Sequence, residues 1–101
     1  TDKMNDAIST YLIAYDMADD HRRGRIANEL LSYGYRVQGS VFIVEAAGAS
    51  FVRLLDALRG ILNRNEDSLV ICDLGSGDSW RRRYRHYGCH INIDSFEKSV
   101  F

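Results

Sequence analysis

Short continuous runs of apolar residues alternate along this chain with longer segments in which apolar residues recur every three or four positions. Residues 11–15, of sequence YLIAY, are rich in β-forming side chains and too few for a helix, so they predict a buried strand that ends at Asp16. Residues 68–74, of sequence SLVICDL, have the same character and predict a second buried strand.

Two amphipathic helices are predicted between these strands. The apolar positions of the first helix are Ile26, Ala27, Leu30 and Leu31. Asp19 or Asp20 is its expected N-terminal cap, and Gly34 is its expected end. The apolar positions of the second helix are Phe51, Leu54, Leu55, Leu58, Ile61 and Leu62. Ser50 is the candidate cap of this second helix, because its hydroxyl can accept a hydrogen bond from the first turn.

The segment between the helices, residues 35–46, is rich in Val, Ile and Phe but is interrupted by Gln38-Gly39. It is either one bent strand or two short strands joined by a tight turn, and we favour two strands. The resulting order predicts a ferredoxin-like α+β sandwich, βαββαβ, with both helices on one face of the sheet and an additional short strand at residues 89–93. The strands leave the other face apolar as well, so a homodimer that packs sheet against sheet is expected.

The length and composition fit one globular domain. The chain has 101 residues, of which 46% are hydrophobic and 27% are charged, as in ordinary globular proteins. Within this domain, residues 1–9 are expected to form a polar leader and residues 78–101 a basic arm and tail. No apolar run is long enough to cross a bilayer, and residues 1–10 contain no hydrophobic signal region. These features predict a cytoplasmic protein in which Cys72 and Cys89 are reduced thiols.

Charge is segregated along the chain. The net charge of −1 argues by itself against a uniformly basic nucleic-acid binder. However, seven arginines fall in two clusters, which are Arg22, Arg23 and Arg25, then Arg81, Arg82, Arg83 and Arg85. The first cluster could hold nucleic acid or form salt bridges between subunits. The second lies in residues 80–87, where aromatic residues alternate with arginines, and it suits either phosphate neutralisation with base stacking or a solvated, partner-docking arm.

Several short segments occur together in a particular order. They are Tyr15-Asp16, the first arginine cluster, Tyr33-Gly34, residues 36–42 of sequence RVQGSVF, residues 67–69, Leu74-Gly75, Arg82-Arg83 and Tyr87-Gly88. In this combination the chain resembles the CRISPR-associated protein 2 family over residues 11–88. The resemblance implies a ferredoxin-like homodimer, a magnesium-dependent nuclease that cuts RNA or DNA, and a place in the spacer-acquisition complex with the CRISPR integrase.

The resemblance also implies roles for individual residues. Asp16 would bind the metal, which is Mg²⁺ or, as a substitute, Mn²⁺. Tyr15 and Ser40 would belong to the same catalytic site. The candidates for contact with nucleic acid combine positions that match the family with the two arginine clusters, and they are Arg22, Arg23, Arg25, Arg36, Phe42, Arg81, Arg82, Arg83 and Arg85. Mg²⁺ prefers oxygen ligands and keeps several waters, so one or two carboxylates with phosphate oxygens suffice. Two copies of Asp16 facing each other across a dimer axis would form such a site.

Each candidate also has a structural explanation. Asp16 could be a turn or helix-capping aspartate, Ser40 a hydroxyl bonded to the backbone, and Phe42 a core residue. For the whole protein, the enzyme hypothesis is a metal-dependent phosphodiesterase. The alternative is a non-catalytic dimeric spacer that holds DNA between integrase subunits. A regulatory module for a small molecule is a third class, but no phosphate-cradling glycine motif supports it.

Overall fold

A four-stranded antiparallel sheet carries two helices on one face in the computed structural model, which describes residues 7–89. In chain order the elements are β1 (Ile8–Asp16), α1 (Asp20–Leu31), β2 (Gly34–Gln38), β3 (Val41–Ala47), α2 (Gly48–Ile61), β4 (Ser68–Ser76) and a short 3₁₀ helix (Ser79–Arg82). The strand order is β2-β3-β1-β4, so β1 is an interior strand between β3 and β4. This is the predicted ferredoxin-like α+β arrangement, and the interpretation of residues 35–46 as two strands is confirmed.

The first strand is longer than the apolar pattern predicts. β1 begins at Ile8, inside the segment expected to be a polar leader, and Ile8 is paired with Ala47 of β3. Backbone hydrogen bonds in a sheet do not require apolar side chains, so hydrophobicity alone missed this start. Near the other end of the chain, Cys89 lies in no strand, and the remainder of the predicted last strand, residues 90–93, falls outside the described residues.

Both helices begin after a residue in extended conformation, but only the first has a side-chain cap. Asp19 accepts a hydrogen bond from the backbone N–H of Arg22 at 2.9 Å, as predicted. α2 follows β3 without an intervening loop, so its cap residue is Ala47. The prediction of a Ser50 cap is therefore wrong, and the Ser50 hydroxyl instead accepts a hydrogen bond from Arg53 at 3.1 Å.

The main core lies between the two helices and the sheet. Ile13 of β1, Leu30 of α1, Phe42 of β3 and Leu58 of α2 have no exposed surface there. Truncating one of the aliphatic side chains to Ala would cost about 2–5 kcal/mol, because a cavity adds to the lost burial. β2 comes close to this core at Gly34, where a Cβ would collide with the backbone of β3. Only glycine fits at that position.

The opposite face of the sheet is half covered by the chain itself. Trp80, which is 3% exposed, packs there against Val37 and Ile43, and Tyr84 packs against the same cluster. A second copy is expected to pack against this face, and the chain itself covers one half of it, where Leu74 of β4 also packs against the cluster around Trp80. The other half, around the first residues of β4, remains open, and Val70 is 56% exposed in it. This open half consists of Ala14, Val70 and Cys72.

The structure also bears on membrane spans and on the two cysteines. Within residues 7–89, no helix is long and apolar enough to cross a membrane. Cys72 and Cys89 are both free thiols, as predicted.

Candidate functional site

Asp16 is the last residue of β1, the interior strand that connects the two halves of the sheet. Side chains alternate between the two faces of a strand. Tyr15 belongs to the core under the helices, whereas Leu12 packs on the opposite face. The alternation therefore places Asp16 on the opposite face, at the end of the open half. Its side chain is exposed, and its partner on β4 is Ser68.

Asp67, one residue before β4, links three segments of the chain next to this position. Its side chain has no exposed surface. Its Oδ1 accepts a hydrogen bond from the backbone N–H of Ala18 at 2.9 Å, and its Oδ2 accepts one from the backbone N–H of Asn63 at 2.9 Å. Arg22 donates from Nε to Oδ2 at 2.7 Å and from Nη2 to Oδ1 at 3.2 Å. The carboxylate is thus satisfied by four donors from the β1–α1 loop, α1 and the α2–β4 connection.

The ion pair between Arg22 and Asp67 shifts the pKa of both groups. The hydrogen bond from Arg22 holds the pKa of Asp67 well below its ordinary value of 3.8, against the opposing effect of burial. The same hydrogen bond raises the pKa of Arg22. Glu66 also accepts from this guanidinium at 2.9 Å, but its side chain is 55% exposed. Arg22 is therefore held in an intramolecular ion pair, and its contact with nucleic acid stays a prediction.

The other two arginines of the first cluster differ from Arg22 in their surroundings. Arg23 donates a hydrogen bond from Nη2 to the backbone carbonyl of Met17 at 2.8 Å and pairs with Asp20. Arg23 and Arg25 are both exposed on the first two turns of α1. For these two residues, contact with nucleic acid stays a prediction.

Tyr15, Ser40 and Phe42 lie close together, and the contacts among them stabilise the fold. The backbone N–H of Tyr15 donates to the carbonyl oxygen of Ser40 at 3.0 Å. The Tyr15 ring is buried and stacks on Phe42, with 6.2 Å between the ring centroids. The guanidinium of Arg36 lies 5.0 Å from the centroid of the Phe42 ring. Because Phe42 has no exposed surface, the prediction that it contacts nucleic acid is wrong, whereas those for Tyr15, Ser40 and Arg36 stay predictions.

Trp80 holds the second arginine cluster, in the basic arm of residues 80–87, against the sheet. Tyr84 meets the indole edge to face, with 5.6 Å between the ring centroids, and the guanidinium of Arg81 lies 4.8 Å from the centroid of the Trp80 ring. The backbone N–H groups of Arg83 and Tyr84 donate to the carbonyl oxygen of Trp80 at 2.9 and 3.0 Å. The exposed arginines of the arm are Arg81, Arg82, Arg83 and Arg85. Their charges therefore project from a folded turn that is fixed by an apolar anchor.

The donor chemistry at Asp16 fits a hard divalent cation, although one chain supplies few ligands. An exposed carboxylate is the kind of oxygen donor that Mg²⁺ prefers. Among residues 7–89, no group of three or more His, Cys, Asp or Glu side chains is arranged to hold a metal ion. One chain therefore offers fewer than three such ligands at Asp16, and the remaining ligands would be water, phosphate oxygens or the same residue of a second copy.

Sequence reasoning missed the roles of Asp67 and Trp80. The sequence indicates Asp67 only as part of residues 67–69 in the family resemblance, because its partners Ala18 and Arg22 lie 49 and 45 residues away. The available signal was an arginine near the start of a helix, where it opposes the helix dipole and needs an anionic partner elsewhere. For Trp80, the signal was a large apolar residue at the beginning of an otherwise charged segment.

Comparison with known proteins gives one consistent family. The family model described as CRISPR associated protein Cas2 matches residues 9–83. A CRISPR-associated endoribonuclease Cas2 from Rhodospirillum rubrum is 38% identical over 88 residues, which cover 82% of this chain and 90% of the relative. Another from Synechocystis sp. is 48% identical over 59 residues, which cover 58% of this chain and 64% of that relative, slightly less than two thirds of its length.

Solved structures of similar sequence have the same fold. Streptococcus pyogenes Cas2 aligns with a TM-score of 0.71 and 31% identity, over 78% of this chain and 99% of its own. A chain from a partial Cas6-RT-Cas1–Cas2 complex aligns with a TM-score of 0.62 and 27% identity, over 77% of this chain and 89% of its own. Since the family match extends from β1 through the 3₁₀ helix, this chain belongs to the CRISPR-associated protein 2 (Cas2) family.

Proposed function

We propose that this protein is a metal-dependent endonuclease that cleaves phosphodiester bonds in RNA or DNA, and that it is a subunit of the CRISPR spacer-acquisition complex with the integrase. The relatives from Rhodospirillum rubrum and Synechocystis sp. are named endoribonucleases, and one structural neighbour is part of a complex that contains Cas1. Within this chain, the observation that supports the proposal is the position of Asp16, an exposed carboxylate at the end of an interior strand.

The open half of the sheet supports a homodimer with a shared site. Val70 is a large apolar side chain left exposed beside Asp16 and Ser68 on adjacent strands. A second copy that covers this surface would remove apolar area from water and would bring two Asp16 carboxylates near one axis. Two carboxylates with phosphate oxygens and water satisfy the coordination that Mg²⁺ requires. In this proposal the metal, Mg²⁺ or Mn²⁺, is held between subunits.

The residues of each chain contribute to the reaction by binding and placement. Asp16 would hold the metal, which when bound would supply positive charge against the scissile phosphate. Arg23, Arg25 and the arginines of the basic arm would neutralise phosphates on either side and keep the strand in register. Tyr15 and Ser40 would fix the end of β1 through their backbone hydrogen bond, which limits the movement of the neighbouring Asp16.

Cleavage assays on an isosteric variant test the enzyme hypothesis. Full-length protein is incubated with Mg²⁺ and end-labelled single-stranded RNA, single-stranded DNA and duplex DNA. Asp16→Asn keeps the size of the side chain but removes the charge, and we expect cleavage of every substrate to fall to background. Asp56→Asn is the matched control, since Asp56 is an exposed carboxylate on α2. Undiminished cleavage by Asp16→Asn would overturn the proposed role of Asp16.

A non-catalytic scaffold is the second candidate, and a specific observation favours it. Among residues 7–89 no group of three or more potential metal ligands surrounds Asp16, which makes a small catalytic apparatus. The basic arm, in contrast, presents four exposed arginines on a fixed surface that suits a DNA backbone. Spacer acquisition in cells separates the two functions. If acquisition persists with Asp16→Asn but stops when Arg82 and Arg83 are changed to Gln, the scaffold is the physiological function.

The homodimer has its own test. Light scattering of the full-length protein at micromolar concentration should give twice the mass of the chain, and Val70→Asp should shift the distribution towards the monomer. Val52→Asp on α2 is the matched control, because Val52 is also exposed but lies on the helical side. A wild-type monomer would contradict the shared metal site.

A further inference from the structure

The hydrogen bonds of Asp67 fix the backbone on both sides of Asp16, and we propose that Asp67 is the positioning residue of the metal site. The proposal rests on the proposed function, in which Asp16 holds the divalent cation. It adds a residue that acts through Asp16 and does not itself touch the metal. Its basis is the fully enclosed carboxylate of Asp67 and the four hydrogen bonds that this carboxylate accepts.

The hydrogen bonds of Asp67 lie next to Asp16 both along the chain and across the sheet. Ala18, whose backbone N–H donates to Oδ1 of Asp67 at 2.9 Å, is two residues after Asp16. On the adjacent strand, Asp67 immediately precedes Ser68, the residue paired with Asp16. One side chain therefore holds both the segment that leaves β1 and the segment that enters β4. The position of the Asp16 carboxylate depends on both segments.

The Met17 side chain packs in the main core, but the other hydrogen bonds of the β1–α1 loop are local. The carbonyl oxygen of Met17 accepts from Arg23, and Asp19 accepts from the backbone N–H of Arg22, so these contacts join the loop only to the first turn of α1. They would be retained if the loop and α1 moved together relative to the sheet. The bond from Ala18 to Asp67 spans 49 residues in sequence and ties the loop to the start of β4, the neighbouring strand.

Asp67 itself is not available as a metal ligand. Its two oxygens accept from Ala18, Asn63 and Arg22, and the guanidinium of Arg22 neutralises its charge. Replacing these donors by a cation would break four hydrogen bonds, of which those from Asn63 and Arg22 are part-buried, and this is costly. The Asp16 carboxylate, in contrast, is exposed and faces the open half. The two carboxylates thus have separate tasks, in which Asp16 binds and Asp67 positions.

Metal binding without nucleic acid tests this division. Full-length protein is titrated with Mn²⁺, and free Mn²⁺ is followed by electron paramagnetic resonance. Asp67→Asn should weaken Mn²⁺ binding about tenfold or more, as expected when a group that orients a ligand is lost. Glu66→Gln is the matched control, because it removes the exposed carboxylate partner of Arg22 while leaving Asp67 and its bond to Ala18 in place. Its Mn²⁺ affinity should equal that of the wild type.

Amide hydrogen exchange gives a structural measurement of the same effect. In Asp67→Asn the Ala18 amide should exchange at least about tenfold faster, since one uncharged amide oxygen replaces the two oxygens that accept from Ala18, Asn63 and Arg22. The Ile13 amide, within the paired part of β1, should exchange as in the wild type. If Asp67→Asn does not fold, Arg22→Lys replaces it, because Lys keeps the charge but loses the two-pronged contact. Wild-type Mn²⁺ affinity in a folded variant whose Ala18 amide exchanges faster would overturn the proposal.

Different results would contradict metal binding by Asp16 and positioning by Asp67. If Asp16→Asn binds Mn²⁺ as the wild type does, the metal is not held by Asp16 and the proposed function fails. If Asp16→Asn loses Mn²⁺ while Asp67→Asn, folded and with a faster Ala18 amide, binds it normally, the metal site stands but Asp67 does not position it. Weaker binding in Asp67→Asn with normal binding in Glu66→Gln supports the assignment of Asp67.

Discussion

The corner of the sheet around Asp16 and the basic arm around Trp80 are held in place by different forces. Asp67 holds the corner through hydrogen bonds of 2.7 to 3.2 Å, which are directional and fix the orientation of the backbone. Trp80 holds the arm through apolar packing on Val37 and Ile43, which is strong but less directional. A metal ligand requires accurate placement, whereas phosphate neutralisation tolerates small displacements, so each region is held in the manner that its proposed role requires.

The arginines of the two regions show the same difference. The guanidinium of Arg22 forms ion pairs with Asp67 and Glu66 and so stabilises the corner. Arg82 and Arg83 are exposed on the arm and remain available to a partner. Both clusters are rich in arginine in the sequence, so charge alone does not show which arginines are available to nucleic acid.

Removing the apolar anchor should have the largest effect on stability. Trp80→Ala should lower the free energy of unfolding by about 3–5 kcal/mol, because a buried indole is replaced by a cavity. Urea denaturation followed by circular dichroism measures the change, and Trp80→Phe, which retains most of the packing, should lose less. A loss for Trp80→Ala below about 1 kcal/mol would show that the arm is not docked on the sheet in solution.

Acid should weaken the corner before it affects the arm. The pKa of Asp67 is lowered in the folded chain by Arg22, so its contribution to stability is complete above the unfolded pKa of 3.8 and is lost as the pH falls through the lower folded value. Wild-type stability should therefore decline below about pH 4, and the decline should be shallower in Asp67→Asn. Urea midpoints measured across this range test the sign. Parallel curves for the two proteins would contradict it.

Charge removal on the arm should alter nucleic-acid binding in a salt-dependent way. Changing both Arg82 and Arg83 to Gln should reduce the slope of log affinity against log salt by about 1.8, since each phosphate contact contributes about 0.9. Filter binding or fluorescence anisotropy at several salt concentrations measures this slope. Arg59→Gln is the control, because Arg59 is exposed on the other side of the molecule, in α2. An equal effect of Arg59→Gln would show that binding responds only to net charge.

Removing the exposed carboxylate of Glu66 should have the smallest effect on stability. Glu66→Gln should lower the free energy of unfolding by less than about 1 kcal/mol, because an ion pair with a largely exposed carboxylate is screened by water. Thermal unfolding of this variant beside Asp67→Asn gives the comparison. A loss as large as that of Asp67→Asn would mean that Arg22 is held mainly by Glu66.

The fold was predictable because its signals are local. Apolar residues at helical spacing identified both helices, and the continuous runs identified β1 and β4, since these periods follow from backbone geometry. The starts of β1 and α2 were missed because Ile8 is stabilised by pairing with Ala47 and α2 follows β3 directly. These are consequences of neighbouring strands, which the sequence around each residue does not record.

The site was predictable only in part because its contacts are distant in the chain. The apolar run before Asp16 placed it at the end of a strand, and the structure has it there. The prediction for Phe42 failed since no local pattern distinguishes a Phe buried under a helix from one exposed to a base. The pairing of Arg22 with Asp67 was missed because only the fold brings residues 45 positions apart together.

The long separation between Ala18 and Asp67 has a consequence for the synthesis of the protein. The ribosome produces β1 first, but the partner that positions its end is added 49 residues later, just before β4. Until then, the segment that carries Asp16 has no neighbour on the β4 side. A nascent or truncated chain that ends before Asp67 would thus carry Asp16 without the carboxylate proposed to position it, so the proposed metal site would form only once β4 has been translated.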